Sequence, residues 1–216
     1  YIVNGSLNSA TMTLSSYGAT EGWGGHRATK AWYGLFGSLG TSTDDRAQLF
    51  WTAGHTYEMT DYKEWTNGYP SIKFRNSNFI GGTTPTSFSG TDFPLFRLAD
   101  AYLMYAECVV RGATGGSISQ AVDYVNAVRE RSNASIITAG DLTLNFLIDE
   151  RGRELNLEGH RRSDLIRFGM FTGGSYLWPW KGNALNGTSI PSTYKLFPIP
   201  VQALQANSNL TQNPGY

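Results

Sequence analysis

Charge, cysteine and long apolar runs are all scarce in these 216 residues, and each scarcity removes a class of function. Only 16% of the residues are charged, and 17 basic side chains balance 17 acidic ones, so no positive field is left over for a phosphate backbone or an anionic lipid surface. Nucleic acid is therefore not an expected partner. The single cysteine, Cys108, excludes an intrachain disulfide and leaves the redox compartment open. Its place in an apolar helical pattern predicts inert packing. No stretch reaches the roughly 18 apolar residues that a membrane span requires, and no basic-plus-apolar leader opens the chain at Tyr1. Histidine is sparse as well: His26, His55 and His160 lie far apart without metal-ligand spacing, and no nucleophile elbow or phosphate-cradling glycine motif occurs.

What is present divides the chain. Residues 1–91 read as a loop-rich subdomain in which aromatic residues alternate with Gly, Ser, Thr and Asn. Short strands are expected at Gln48–Thr52 and Tyr69–Phe74, and a Gly- and Thr-rich stretch at 81–90 closes the segment. Residues 92–216 read as a helical core with a proline-rich tail. Leu95, Leu98, Tyr102, Tyr105, Ala106 and Val109 recur at three- and four-residue intervals, predicting a helix from Pro94 to Arg111 with Gly112 in the left-handed position beyond its end. Ser117 with Gln120 makes a capping box that opens a second helix to Arg131. The two form a hairpin over 94–131 of the tetratricopeptide type. Further helices are expected over about 141–158, capped by Asp141, and over 161–170. The prolines of Leu196–Pro200 exclude regular helix there.

Three runs carry a resemblance. Asp92-Phe93-Pro94-Leu95-Phe96-Arg97-Leu98-Ala99-Asp100-Ala101-Tyr102-Leu103-Met104-Tyr105-Ala106-Glu107 resembles the hairpin signature of the SusD/RagB family. Asp149 to Leu155 with Glu158 to Gly169 is similar to that family's second signature, and Leu196 to Pro200 with Asn209 to Tyr216 to its carboxy terminus. Asp44-Asp45-Arg46 and Tyr69 to Asn76 look like the approach to the hairpin, while Tyr1 to Gly40 carries no motif of the family. The resemblance implies a mainly α protein with long irregular loops and a few short strands, its helical hairpin packed against the loop-rich subdomain. It further implies a non-enzymatic glycan-binding lipoprotein on the extracellular face of an outer membrane, partnered by a SusC-like TonB-dependent transporter. Family members are longer, so a lipidated amino-terminal cysteine and further helical repeats are expected in an amino-terminal half outside this chain. The block Trp178 to Gly182 is similar to one in starch-associated members, which makes a starch-like glucan the first expected ligand.

Glycan capture needs flat apolar rings that stack on sugar C–H faces, with polar groups at the rim. Trp23, Trp32, Tyr33, Tyr57, Tyr62 and Trp65, set among Arg27, Asp61, Lys63 and Asn67, have that composition. Core burial is the commoner fate of any one Trp or Tyr, so at least two of the six are expected to remain exposed. Trp178 and Trp180 are expected to pack. Glu150, Glu154 and Glu158 share one helical face, as an acid/base pair in a glycoside hydrolase would, but the neighbouring arginines predict an ion network instead, with Asp149–Arg153 and Glu158–Arg162 as pairs. No cofactor is expected; Asp44, Asp45 and Asp92 offer the only candidate oxygens for a structural calcium. A glycoside hydrolase and a protein-interaction scaffold are the alternatives to glycan binding.

Overall fold

The computed structural model describes residues 2–37, 40–77 and 89–216. Its regular elements are mainly helical. In chain order they are β1 (Arg27–Ala28), α1 (Lys30–Tyr33), β2 (Tyr69–Pro70), α2 (Leu98–Val110), α3 (Ile118–Glu130), α4 (Leu144–Glu154), α5 (Arg161–Arg167) and α6 (Val201–Ala206), with short 3-10 turns between them. β1 and β2 pair antiparallel, Arg27 opposite Pro70 and Ala28 opposite Tyr69. The Gly- and Thr-rich stretch expected at 81–90 lies outside the described residues except for Ser89 and Gly90.

The chain forms two compact units, Tyr1–Arg161 and Arg162–Tyr216. The division expected near residue 91 is not where the contacts part, because the loop-rich segment is tied to the helices by buried charges: Arg46 and Lys73 both reach carboxylates of the segment 150–158.

The turn of the hairpin is set by local signals at the end of α2 and the start of α3. α2 ends in a Schellman motif, the Gly112 N–H donating to Val109 O (2.9 Å) and the Ala113 N–H to Cys108 O (3.0 Å). Gly112 has φ +87°, and a Cβ there would meet nothing within 4 Å, so its only restriction is the backbone. Gly112→Ala should therefore cost about 1 kcal/mol, read as a small fall in melting temperature with unchanged far-UV circular dichroism. Ser117 caps α3 by accepting from the Gln120 N–H at 3.2 Å, but the reciprocal half of the expected capping box is replaced, the Ser117 N–H donating to Tyr105 Oη at 3.2 Å. Leu103 and Ala106 of α2, Ala121 and Val125 of α3 and Leu147 of α4 make one closed apolar cluster, each with no exposed surface. Tyr102 and Tyr124 stack across the hairpin, 4.2 Å between ring centroids.

Four local expectations are corrected. α2 starts at Leu98 rather than Pro94, because Arg97 is extended (φ −134°, ψ 145°) and its guanidinium reaches Glu154 and Glu158. Leu95 consequently leaves the buried face, and Phe96 is 95% exposed. α4 is capped by Thr143, which accepts from Phe146 N–H at 3.1 Å, while Asp141 instead accepts from the amide and hydroxyl of Thr138. Gln48 and Leu49 finish a 3-10 turn (Asp45–Leu49), so only Phe50 of that run bridges, to Ser71. Cys108 is exposed, because the face of α2 opposite Leu103 has no neighbour among the described residues.

In the second unit, Lys181 takes the place of an apolar core. Its Nζ is buried, donates to Gly173 O (2.8 Å) and Tyr176 O (2.6 Å), and lies 4.6 Å from the centroid of Trp178; burial lowers its pKa. Trp178 packs against Phe171 and Tyr176, and both Trp178 and Trp180 are half-buried. The tail is held by its own polar side chains. Gln212 pairs with both backbone groups of Ile199, and Asn213 Nδ2 donates to Phe197 O at 2.7 Å. α6 begins immediately after Pro200, where a preceding proline is compatible with a helix start.

Candidate binding surface

The exposed aromatic residues sit on a loop that is closed at its base and braced from inside. Thr56 N–H donates to Thr66 O and Gly68 N–H to Thr56 O, each at 2.9 Å, bringing the two ends of the loop together. Gly68 is required at the closure: it has φ +78°, and a Cβ would lie 2.6 Å from Ala28 O. Inside the loop, the buried Asn67 Oδ1 accepts from Thr60 N–H (2.8 Å), Thr60 Oγ1 (3.1 Å) and Asp61 N–H (3.1 Å). Arg27, delivered by β1, donates from Nη1 to Glu64 O and to Asn67 O (2.5 Å), and from Nη2 to Tyr62 O (2.6 Å). Its guanidinium carbon then lies 5.3 Å from the Trp65 ring centroid. Burial lowers the Arg27 pKa, with Glu64 opposing.

Trp65 is 55% exposed and Tyr62 48%. Trp23, also 48% exposed, joins them through Asn8: the Asn8 backbone bridges to Trp23, and Asn8 Nδ2 donates to Trp65 O at 3.1 Å. Three of the six predicted residues are thus brought onto connected segments with open ring surface. Tyr57 borders them, 37% exposed, its hydroxyl donating to Lys30 O at 3.2 Å while its ring meets Tyr33 and Tyr69.

The other two do not belong to the surface. Tyr33 is 4% exposed, held edge-on by Phe50 and Tyr69 in the aromatic core, so it has no face to offer a ligand. Trp32 is half-buried against Phe50, and its Nε1–H donates to Gly152 O at 3.1 Å. Sequence composition could not separate these from Trp65, since α1 points consecutive rings inward. Arg27 and Asn67, read from sequence as rim groups, are consumed by loop carbonyls and amides and serve as braces. Asn8 was missed, because a lone Asn in polar text gives no signal. Arg27→Met should loosen the loop without unfolding the protein: cleavage between 56 and 68 by a nonspecific protease should accelerate about tenfold, corresponding to roughly 1–2 kcal/mol of lost hydrogen bonding, with the melting temperature nearly unchanged.

The carboxylate stripe is structural. Glu150 is met by Arg46 (2.8 Å), Arg129 (2.6 Å) and Arg153 (2.9 Å), and Glu154 by Arg46 (2.9 Å), Arg97 (2.9 Å) and Arg131 (2.7 Å). Glu158 is met by Lys73 and by Arg97 at 2.7 Å. None of the three is free for acid or base work. The network was foreseen, but its principal partners were not: apart from Arg153 they come from Arg46, Lys73, Arg97, Arg129 and Arg131. Arg162 is not the partner of Glu158; it donates to Tyr194 O and Lys195 O. Arg153 pairs with Glu150, and Asp149 is left with a pKa raised by burial against the pull of Arg153 and Arg161. Of the three candidate calcium carboxylates, Asp44 is paired with Arg46 at 2.7 Å and Asp45 accepts from Asn133 Nδ2 at 2.6 Å. Among the described residues no group of three or more His, Cys, Asp or Glu side chains is arranged to hold a metal.

A helical-hairpin scaffold, locked to a loop-rich segment by buried ion pairs and displaying braced aromatic rings, defines the class of protein. The SusD family model matches residues 40–216, and the chain belongs to that family. It is similar to the starch-binding protein SusD of Bacteroides thetaiotaomicron, 43% identical over 177 residues that make up 80% of this chain and 31% of that protein. A SusD-like protein of Formosa agariphila is 38% identical over 133 residues, 56% of this chain and 24% of its own length. A SusD superfamily structure from Parabacteroides distasonis superposes with a TM-score of 0.59 at 28% identity, covering 88% of this chain and 42% of that one. The chain thus spans about a third or less of the curated relatives it matches.

Proposed function

We propose that this chain is the glycan-presenting carboxy-terminal portion of a non-catalytic outer-membrane surface lipoprotein that captures a starch-like glucan and delivers it to a SusC-like TonB-dependent transporter. The observation that carries the reading is the joint exposure of Trp23, Tyr62 and Trp65 on segments fixed to one another by Asn8 and Arg27. Rings held rigid before binding lose little freedom when a sugar stacks on them, which is where modest carbohydrate affinity is usually forfeited. The charges around them are mixed and favour an uncharged ligand. Glu21, Glu58, Asp61 and Glu64 are near the rings in sequence, Lys63 lies 5.8 Å from the Tyr62 ring centroid, Lys30 is paired with Glu58 at 3.0 Å, and the Arg27 Nη donors are occupied by carbonyls. Similarity to a starch-binding relative supports the glucan. Absence among the described residues of any helix long and apolar enough to cross a membrane accords with attachment by a lipid outside this chain.

The test is native electrophoresis through gels containing amylopectin. The wild type should be retarded, and the Trp23→Ala/Trp65→Ala double variant should migrate freely, its affinity down about 100-fold if each ring contributes about 1.5 kcal/mol. Unchanged retardation of the double variant would remove these rings from the site. Release of reducing ends from the polysaccharide would overturn the non-catalytic reading.

A further inference from the structure

Away from the exposed rings, and sharing no residue with them, a cavity of about 460 Å³ opens between Leu35, Phe36 and residues 41–44 on one side and the α3–α4 region on the other. Its size falls within the range of small-molecule sites, roughly 300–1,000 Å³. Apolar side chains, Phe146, Leu35, Phe36 and Ala134, share the lining with polar ones, among them Thr43, Arg129, Asp149 and Arg153.

The polar lining is unusually well fixed. Glu150, with no exposed surface, accepts at one oxygen from Arg129 Nη1 (2.6 Å) and Arg153 Nε (2.9 Å), so both guanidiniums are anchored from behind. Both also flank Phe146, at 5.4 and 5.7 Å from its ring centroid, which holds the ring in place. Asp149 is the exception to this satisfaction. It is half-buried, lines the cavity, and its carboxyl accepts no hydrogen bond from any described residue, although burial disfavours its charge. The carboxyl is thus an acceptor that no side chain engages and that still reaches solvent at the cavity, open to the hydroxyls of a ligand. An apolar ring set beside carboxylate, guanidinium and hydroxyl groups in one lining is the complement of a sugar, whose C–H face and hydroxyl edge alternate. An inorganic anion would meet Asp149 and Asp44 beside the arginines, and a purely apolar ligand would strand them.

We propose that this cavity is a second carbohydrate subsite, taking a neutral mono- or disaccharide unit with Phe146 against its C–H face and Asp149 accepting from its hydroxyls. The proposal rests on the glycan-binding reading but not on the Trp23–Tyr62–Trp65 surface.

Isothermal titration of the intact protein with maltose, cellobiose, laminaribiose, glucose, galactose and mannose tests it. At least one of these should bind saturably, and Asp149→Ala and Phe146→Leu should each weaken that binding about tenfold or more. All titrations are made in the Trp23→Ala/Trp65→Ala background, so that stacking on the exposed rings does not contribute. Thr43→Val provides an exposed alternative with a smaller loss if either cavity variant lowers the melting temperature. No binding by any of the six sugars overturns the proposal, as does binding insensitive to Asp149→Ala and Phe146→Leu. So does a crystal structure of the intact protein in which another segment of the same polypeptide fills the cavity. Loss of amylopectin retardation in the tryptophan variant, with sugar binding indifferent to Asp149, would keep the exposed surface and discard the cavity; the opposite pattern would do the reverse.

Discussion

Replacing Arg46 with Met is expected to destabilise the first unit by about 3–5 kcal/mol, the usual cost of stranding buried charge, and to lower the melting temperature by about 10 °C. Arg46 is 4% exposed and bonds three carboxylates at once: Asp44 (2.7 Å), Glu150 (2.8 Å) and Glu154 (2.9 Å). Its folded pKa is raised: burial alone would lower it, but the hydrogen bonds it donates to Asp44 and the charges of Glu150, Asp44 and Glu154 prevail. Desolvating so many charges yields little net stability, so the cluster is better understood as fixing which surfaces meet than as adding strength. Removing one cation is different, because Glu150 stays wholly enclosed and loses a partner. Arg46→Lys keeps the charge but cannot serve three carboxylates with a planar fork, and should fall between. A loss below about 1 kcal/mol in chemical denaturation of Arg46→Met would show that Arg129, Arg131 and Arg153 satisfy the carboxylates unaided.

Acidification should have the second large effect, and its sign follows from the same cluster. For Asp44, Glu154 and Glu158, burial by itself raises the carboxyl pKa, yet hydrogen bonds and charge from Arg46, Arg131, Arg97 and Lys73 outweigh it and hold each below its ordinary value of 3.8 or 4.5. A carboxylate depressed in the folded state contributes its full stability above the unfolded pKa and loses it as pH falls through the folded one, about 1.4 kcal/mol for each unit of displacement. Melting temperature should therefore be level from pH 7 to about 5 and fall steeply below about pH 4.5. Asp149, shifted upward, gives a small opposite contribution as it takes up its proton. Glu154→Gln should start lower at pH 7 and decline less on acidification. A wild-type melting temperature constant from pH 5 to 3 would refute the electrostatic account of the cluster. Salt at 1 M should change little, because the three glutamates and Arg46 are enclosed; only the exposed Arg131 arm of the cluster is open to screening.

The two compact units also differ in how they are held. The first has closed apolar clusters under the hairpin and under the aromatic loops. The second relies on a buried lysine and on amide side chains that mimic backbone pairing, an arrangement in which few apolar contacts oppose local opening.

Legibility in the sequence followed the range of the interactions. The α2–α3 hairpin, the left-handed Gly112 and the Ser117 cap were readable, because each depends on residues within one or two turns of chain. The family was readable for a related reason: its signatures are contiguous runs. The true start of α2 was hidden, since it is set by Arg97 bonding Glu154, 57 residues away. The partners of the acidic stripe were equally hidden, with Arg46 and Glu154 separated by 108 positions. By itself, then, the sequence determined the α2–α3 hairpin, the Gly112 and Ser117 caps and the lineage. Only the tertiary structure decided that Tyr33 is interred while Trp65 is open, and that Arg27 braces a loop instead of meeting a ligand, because exposure is a property of what packs alongside a residue and not of its neighbours along the chain.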